Sequence, residues 1–242
     1  MVQKTASLSN ERRKNLHAFF EYCRKFRGLR YNPVAVIDKI SQDRKPQPVP
    51  TDIELAKLKA SCKTWQDRAL IDVIANSGAR RSEVFRLTLA DVDFQAREVR
   101  FGNRKNKRRE LKYRTVPMND ALYGALLKLS RQRLPQSEYL FQNRDSRHPN
   151  YGGRYTARRR FMAGLCKTAK IKHMGFHSLR RYFASKLVQN RENLETVREL
   201  MGHSAVSTTD RYVYRLRSDA KAAVNRIQEK VAHEVAHAAS EK

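Results

Sequence analysis

Residues 200–212 read LMGHSAVSTTDRY, so that Tyr212 follows His203 by nine positions. Apolar spacing predicts a helix over residues 194–201 before this histidine and a second helix over residues 207–214 around the tyrosine. An imidazole titrates near neutral pH, and a phenol oxygen can act as a nucleophile. The histidine and the tyrosine are therefore candidates for an active site.

Two upstream segments carry further candidates for the same site. Residues 77–83 read SGARRSE, where a glycine ends one predicted helix and Arg80 lies at the start of the next. Residues 177–182 read HSLRRY and combine His177 with Arg180. An arginine offers planar bidentate donors to a phosphate, which a lysine does less specifically. These residue types indicate chemistry on a phosphate group.

The three segments together resemble the signature boxes of the tyrosine recombinase (phage integrase) family: Gly-x-Arg-x-x-Glu, then His-x-x-Arg, then Gly-His with a tyrosine nine residues on. A single box is weak in a chain so rich in arginine and lysine, but the boxes in this order and spacing are a specific match. The resemblance covers about residues 49–214. It implies an α+β, mainly helical fold, which is the family's catalytic core with a small antiparallel β-hairpin or sheet.

The resemblance also implies the reaction, site-specific DNA recombination by transesterification, with no metal and no cofactor. Tyr212 would attack the scissile phosphate and form a 3′-phosphotyrosyl intermediate, while Arg80 and Arg180 clamp the phosphate oxygens. His177 and His203 would donate to the same oxygens or help to remove the phenol proton. The ordinary pKa of a phenol is about 10, and nearby cations lower the cost of forming the phenolate.

Some assignments have competing candidates. Tyr214 lies two residues beyond Tyr212, and the family spacing from the histidine favours Tyr212. The family's general acid is a lysine on a hairpin between the first two boxes. Lys105 fits that position best, and Lys107 stays open because this hairpin is longer than the common form. Glu83 would belong to the supporting shell, where it orients an arginine or a histidine, and the alternative is a surface salt bridge.

The chain carries 51 Lys and Arg against 24 Asp and Glu, a formal net charge of +27. Such an excess is typical of a protein whose partner is a polyanion, and double-stranded DNA is favoured here. The predicted hairpin alternates Val99 and Phe101 with polar residues, returns through residues 115–117 and has a basic tip. The predicted DNA contacts beyond the catalytic set are Arg104, Lys107, Arg108, Arg109, Arg158, Arg159, Arg160 and Arg181.

Other classes of protein are less well supported by the sequence. The longest apolar runs, such as residues 69–75, fall far short of the roughly 20 residues of a membrane span, and no signal peptide follows Met1. We therefore expect a cytoplasmic, nucleoid-associated protein. Residues 233–237 read HEVAH and match a zinc motif, but no third ligand follows, so no metal site is expected. The three cysteines show no CxxC spacing and are expected to be reduced thiols.

We expect three segments along the chain. Residues 1–48, with a proline-rich linker at their end, resemble the end of the family's core-binding domain, as a fragment or a naturally short form. Residues 49–216 are the expected catalytic domain. Residues 217–242 form a predicted amphipathic helix that packs on the body or on a neighbouring protomer. The resemblance implies a homo-tetramer on two DNA sites.

Apolar spacing and stop signals predict the helices within these segments. The first begins near Ser9 and ends at Gly28. Thr51 and Glu54 form a capping-box pattern that opens the next. The remaining helices are predicted at residues 65–76, 122–129, 156–170, 177–188, 194–201 and 207–214.

Two other functions remain open. A type IB topoisomerase uses nearly the same residues and would relax supercoiled DNA without a specific site. A non-catalytic DNA-binding regulator would bind DNA without forming a covalent adduct. Its sign would be the loss of a catalytic residue, and none is lost in this sequence.

Overall fold

A computed structural model describes residues 2–41, 48–104, 111–156 and 158–202. The chain divides into two compact units, residues 1–47 and residues 48–242. Within the described part, no helix is long and apolar enough to cross a membrane. The predicted helix over residues 207–214 and the predicted tail helix over residues 217–242 lie outside the described residues.

The first unit is built on one long helix, α1 (Val2–Phe26). It begins earlier than the predicted start near Ser9 and ends before Gly28, which has a positive φ of 73°. Asn10 fixes the chain that follows, because its side chain donates to the carbonyl of Ile40 at 2.8 Å and accepts from the Ile40 N–H at 3.0 Å. Four large apolar side chains of α1, those of Leu16, Phe19, Tyr22 and Phe26, are at least half exposed.

The second unit contains the remaining helices. Four of them begin with a side-chain cap, from Thr51, Thr64, Asn119 and Asn193. At Thr51 both halves of the predicted capping box form with Glu54, at 2.8 and 3.2 Å. The helices are α2 (Asp52–Ala60), α3 (Trp65–Ser77), α4 (Arg81–Val84), α5 (Asp120–Arg131), α6 (Phe161–Thr168), α7 (Phe176–Gln189) and α8 (Leu194–Met201), with a single 3-10 turn at Leu89–Asp91.

Helix α6 is shorter than predicted, because it begins at Phe161 rather than near residue 156. The preceding chain is held in an extended form: Arg154 pairs with Gln142 in an isolated β-bridge, and the Tyr155 N–H donates to the carbonyl of Phe141 at 3.3 Å. A turn then separates this extended segment from α6, and in it the Phe161 N–H donates to the carbonyl of Arg158 at 3.2 Å.

A three-stranded antiparallel sheet confirms the predicted α+β class and the predicted hairpin. Its strands are β1 (Val92–Asp93), β2 (Glu98–Arg104) and β3 (Leu111–Pro117), in the order β1-β2-β3. Val99 lies opposite Val116 and Phe101 lies opposite Arg114, and the three apolar members of this face are buried. The hairpin tip, residues 105–110, lies outside the described residues.

Helix α3 lies at the centre of the core and packs against α5 and α7. The apolar run at residues 69–75 is buried on nearly every side, which explains why its hydrophobic residues are not confined to one face. Its interruption, Asp72, forms a salt bridge with Lys59 of α2. The chain from α3 onward therefore folds around one helix, and the end of that helix fixes the start of the first signature box.

Gly78 ends α3 in the left-handed conformation, with a φ of 60°. A Cβ there would lie 2.5 Å from Phe183 Cδ1 and 2.9 Å from Met201 Sδ. We expect Gly78→Ala to lower the free energy of unfolding by about 2 to 4 kcal/mol, since it adds both left-handed strain and overpacking. Urea unfolding of the two proteins measures the difference.

The matched control is Gly124→Ala in α5, where a Cβ meets nothing within 4 Å. It should raise stability by up to about 1 kcal/mol, because alanine is the better helix former. Equal stability of Gly78→Ala and wild type would contradict the close packing of α3 against α7 and α8.

Candidate active site

Arg80 is held at the start of α4 by one carboxylate. The Arg80 backbone N–H donates to Glu83 Oε2 at 2.9 Å, and its side-chain Nη1 donates to Glu83 Oε1 at 2.8 Å. The Glu83 side chain is completely buried, whereas that of Arg80 is 26% exposed. The first box therefore presents an arginine whose backbone and guanidinium are fixed by the same acidic residue.

A second arginine, Arg114 of β3, shares that carboxylate. Its Nη1 donates to Glu83 Oε2 at 2.8 Å and its Nε donates to the carbonyl of Leu200 at 2.8 Å. The guanidinium lies over the Phe101 ring, 5.2 Å from the ring centroid. Burial alone would raise the pKa of Glu83, but the Arg114 charge and the hydrogen bonds from Arg80 and Arg114 lower it below its ordinary value. Glu83 is thus ionised between two cations.

Arg180 of α7 is buried, with 4% of its surface exposed. Its two terminal nitrogens donate to the carbonyl of Gly78, at the end of α3, and to the carbonyl of Met201, at the end of α8. One side chain therefore joins the ends of two helices. It also fixes the second box relative to the first.

Three successive carbonyls at the end of α8 each accept from a different arginine. Those of Leu200 and Met201 accept from Arg114 and Arg180, and that of Gly202 accepts from Arg80 Nη2 at 3.4 Å. The last carbonyls of a helix lack intrahelical partners and carry partial negative charge, so cations are favoured there. The arginines thus fix the chain segment that leads directly to His203.

His177 is the second residue of α7, and its side chain is exposed. Partial desolvation lowers the pKa of His177 below its ordinary 6.5, and the charges of Arg180, Arg181, Arg80 and Arg81 lower it further. The imidazole is therefore neutral near pH 7. A neutral imidazole has the unprotonated nitrogen that a general base needs, and the same cations make it a weaker base than a free histidine.

Tyr182, beside the second box, is bound elsewhere. Its hydroxyl donates to Asp52 Oδ1 at 2.6 Å. Burial, together with the hydrogen bond to Asp52 and the charge of Asp52, raises the pKa of Tyr182 to about 12. A phenol in this environment resists ionisation, so Tyr182 does not suit the nucleophile's role.

The structure brings together the predicted site residues from the first two boxes: Arg80, Glu83, His177 and Arg180. The predicted general acid and its alternative, and the predicted catalytic histidine and tyrosine of the third box, lie outside the described residues. So do two predicted DNA contacts of the hairpin tip and the zinc-like motif. These residues are Lys105, Lys107, Arg108, Arg109, His203, Tyr212 and residues 233–237. In the part of the chain that is described, no group of three metal-ligating side chains occurs.

The other predicted DNA contacts differ in how open they are. Arg159 and Arg160 are exposed, Arg181 is half-buried, and Arg104 is the last residue of β2. Arg158 is partly buried and forms a salt bridge with Asp67. Its guanidinium carbon lies 4.1 Å from the centroid of the Phe161 ring. Its first role is to fix the start of α6.

Arg114 is the site residue that the sequence interpretation missed. It shares the inward face of the sheet with Val99, Phe101 and Val116. A signal was present, since strand residues two apart point to the same side and Arg114 precedes Val116 by two. A cation on a buried face requires a carboxylate, and Glu83 is that partner.

Comparisons with known proteins show which family and which solved structures the chain is similar to. A family model described as "Phage integrase family" matches residues 51–218. Tyrosine recombinase XerC of Actinobacillus succinogenes is 32% identical over 155 residues, which cover 62% of this chain and 49% of the relative. Tyrosine recombinase XerD of Listeria innocua is 26% identical over 209 residues, which cover 83% and 69%. The chain spans about half to two thirds of the length of these relatives.

Solved structures share the fold. The Tn1549 transposon integrase, in complex with circular intermediate DNA, has a TM-score of 0.65 at 22% identity, covering 86% of this chain and 74% of that one. The XerH recombinase bound to its difH substrate has a TM-score of 0.66 at 23% identity, covering 89% and 64%. At this level of identity the likeness establishes the architecture.

Glu83→Gln should lower the free energy of unfolding by about 3 kcal/mol, because it leaves two arginines without their buried counter-ion. The pKa of Glu83 is lower in the folded state, so its stabilisation is complete above its ordinary value of 4.5 and is lost as pH falls below that value. The difference in the free energy of unfolding between wild type and Glu83→Gln should therefore become smaller as the pH falls below 4.5. Urea unfolding over a series of pH values measures it.

The control for Glu83→Gln is Glu195→Gln, which removes one partner of the exposed Glu195–Arg198 pair in α8. An exposed pair contributes little, so this variant should unfold like wild type at every pH. If the difference in the free energy of unfolding between wild type and Glu83→Gln did not change with pH, Glu83 would not be ionised in the folded protein.

The imidazole of His177 should titrate below pH 6.5 in the intact protein, followed by NMR and assigned through the loss of its signal in His177→Gln. Arg181→Gln should move this pKa upward, since it removes one of the like charges that lower it. Arg131→Gln, an exposed position at the end of α5, makes the same change in net charge and should leave the pKa in place. A pKa at or above 6.5 in wild type would contradict the electrostatic description of the site.

Proposed function

Because the chain belongs to the phage integrase family, we propose that it is a site-specific DNA recombinase. The observation that carries the proposal is the convergence of Arg80 and Arg180 on the end of α8, from which the third box follows in sequence, with His177 within range of both charges. Two guanidiniums and an imidazole, together with the histidine and the tyrosine that the third box adds in sequence, are the groups needed to break a phosphodiester without a metal. The shared carboxylate, Glu83, supports the set by orienting Arg80.

In the proposed first step, the Tyr212 oxygen attacks the scissile phosphorus and the bond from phosphorus to the 5′-oxygen breaks. The DNA keeps its phosphate as a 3′-phosphotyrosyl ester, and the 5′-oxygen leaves as a hydroxyl after taking a proton from Lys105, with Lys107 as the alternative donor. The phenol proton passes to His203 or to His177, which is neutral near pH 7. Arg80 and Arg180 stabilise the charge that develops on the phosphate oxygens.

The second step reverses the first with a different strand. A free 5′-hydroxyl attacks the phosphotyrosyl phosphorus, a new phosphodiester forms, and Tyr212 recovers its proton. Because the covalent intermediate stores the bond energy, the chemistry needs no nucleotide cofactor. We propose four protomers on two DNA sites, with each tyrosine cutting one strand.

Double-stranded DNA is the proposed partner. The net charge of +27 favours a polyanion, and the exposed arginines Arg159 and Arg160 suit contacts with a phosphate backbone. The solved structures of the Tn1549 integrase and of XerH are complexes with DNA, which supports the same class of partner here. Arg104, Lys107, Arg108, Arg109 and Arg181 remain proposed backbone contacts.

The covalent step can be tested with a pool of nicked duplexes of randomised sequence, which trap the intermediate because the short cleaved strand diffuses away. Wild type should form a protein–DNA adduct that survives SDS and EDTA, and sequencing of the trapped DNA yields the preferred site. Tyr212→Phe should form no adduct, because phenylalanine lacks the nucleophilic oxygen. Tyr214→Phe is the matched control and should form the adduct at the wild-type rate.

Each other outcome has a distinct meaning. An adduct that persists in Tyr212→Phe and vanishes in Tyr214→Phe would identify Tyr214 as the nucleophile. Relaxation of supercoiled plasmid by wild type, with no sequence preference in the trapped pool, would identify a topoisomerase instead. Tight binding of the pool with no adduct would identify a DNA-binding regulator.

A further inference from the structure

Arg114 lies outside the signature boxes, yet it contacts two of them. Its Nη1 binds Glu83 of the first box at 2.8 Å, and its Nε binds the Leu200 carbonyl, two residues before the glycine of the third box, at 2.8 Å. Its side chain is 11% exposed, whereas that of Arg80 is 26% exposed. Arg114 is therefore more deeply buried than Arg80, which is the arginine that would face a phosphate.

Stability alone is a weak reason for an arginine at this position. Arg114 shares the inward face of the sheet with Val99, Phe101 and Val116, where an apolar side chain would pack without desolvating a charge. Burial, with the charge of Arg80, lowers the pKa of Arg114 below its ordinary value although Glu83 raises it, which indicates an unfavourable environment for the cation. Buried ion pairs often contribute no more than well-packed apolar residues of the same size.

The geometry does require an arginine rather than a lysine. The two acceptors, Glu83 Oε2 and the Leu200 carbonyl, are reached by different nitrogens of one rigid, planar group. A lysine ammonium is a single point donor on a flexible stem and cannot hold two separated acceptors in a fixed relation. The side chain thus functions as a rigid connection between α4 and the end of α8.

The glycine of the third box belongs to the same arrangement. A Cβ on Gly202 would lie 3.0 Å from Arg114 Cδ, and Gly202 has a φ of 59°, in the left-handed region. Gly202 therefore allows the chain to turn and leaves room for the stem of Arg114. The chain therefore passes against Arg114 at Gly202, the residue that precedes His203 in the sequence.

We propose that Arg114 is a positioning residue for DNA cleavage. It holds Glu83, and through Glu83 the guanidinium of Arg80, in a fixed relation to the end of α8 that leads to His203. This role rests on the proposed recombinase function. Arg114 acts through these residues and does not touch DNA.

The test uses the full chain and the duplex most enriched in the covalent pool, and it compares wild type with Arg114→Met and Arg114→Lys. At saturating DNA, Arg114→Met should form the adduct about a hundredfold more slowly, the scale of loss expected from a displaced catalytic group. Arg114→Lys should fall between the two, since it restores the charge beside Glu83 without the second contact. DNA affinity and its salt dependence should match wild type in both variants.

Lys59→Met is the matched control, because it also removes a cation from a partly buried ion pair, between α2 and α3. It should lower the melting temperature without slowing adduct formation at a temperature where it is folded. If Arg114→Met does not fold, Arg114→Lys decides the question, because a folded Arg114→Lys that cleaves at the wild-type rate contradicts the proposal.

Three further results would overturn the positioning role. The first is wild-type adduct formation by a folded Arg114→Met. The second is a loss of rate in all three variants in proportion to their loss of melting temperature, which would make Arg114 a purely structural residue. The third is weaker binding with a salt slope reduced by about 0.9, the sign of a lost phosphate contact. If wild type itself forms no adduct, the recombinase function fails, and the positioning role fails with it.

Discussion

The buried carboxylate of Glu83 is the interaction on which the rest of the site depends. It neutralises one of two guanidiniums that lie beside it, and without it Arg80 and Arg114 would face each other with no anion between them. A charge with no exposed side-chain surface is tolerated only where its hydrogen bonds are satisfied, and Glu83 receives them from the Arg80 backbone, Arg80 Nη1 and Arg114 Nη1. This single residue therefore sets where α4 begins, where Arg80 points and which residue of β3 faces inward.

The end of α8 is the second element of this arrangement. Three consecutive carbonyls meet three arginines that come from α4, β3 and α7, so distant parts of the sequence are joined at one helix terminus. Since a guanidinium has five N–H donors, an arginine can bind a backbone carbonyl and still serve a phosphate with other donors. The arginines expected to act in catalysis thus also hold the site together, and loss of activity on their replacement combines two effects that only a folding measurement can separate.

The sequence was sufficient for the features that depend on local signals. Gly78, Arg80 and Glu83 are close in the chain, and the alternation of Val99 and Phe101 needs only two-residue periodicity, so the first box and the hairpin were predicted. The internal contacts of Arg158 and Arg114 were not predicted, because their partners are remote in the sequence. Asp67 lies 91 residues from Arg158, and Leu200 lies 86 residues from Arg114. The early start predicted for α6 failed for the same reason, since the strand-like pairing of Arg154 with Gln142 is invisible in a local window.

These contacts also show where part of the positive charge of the chain lies. Arg114, Arg158 and Arg180 are directed at internal carboxylates and carbonyls, so part of the positive excess does not lie on the surface that DNA would meet. The internal part still has an electrostatic effect, because Arg80 and Arg114 are two cations that share the one carboxylate of Glu83, and Arg180 donates to two uncharged carbonyls. Arg180 and Arg80 are among the charges that lower the pKa of His177. A field that disfavours an imidazolium favours an anion at the same place, whether that anion is a tyrosine phenolate or a phosphate oxygen in the transition state. The buried arginines therefore prepare the site for negative charge before any DNA is bound.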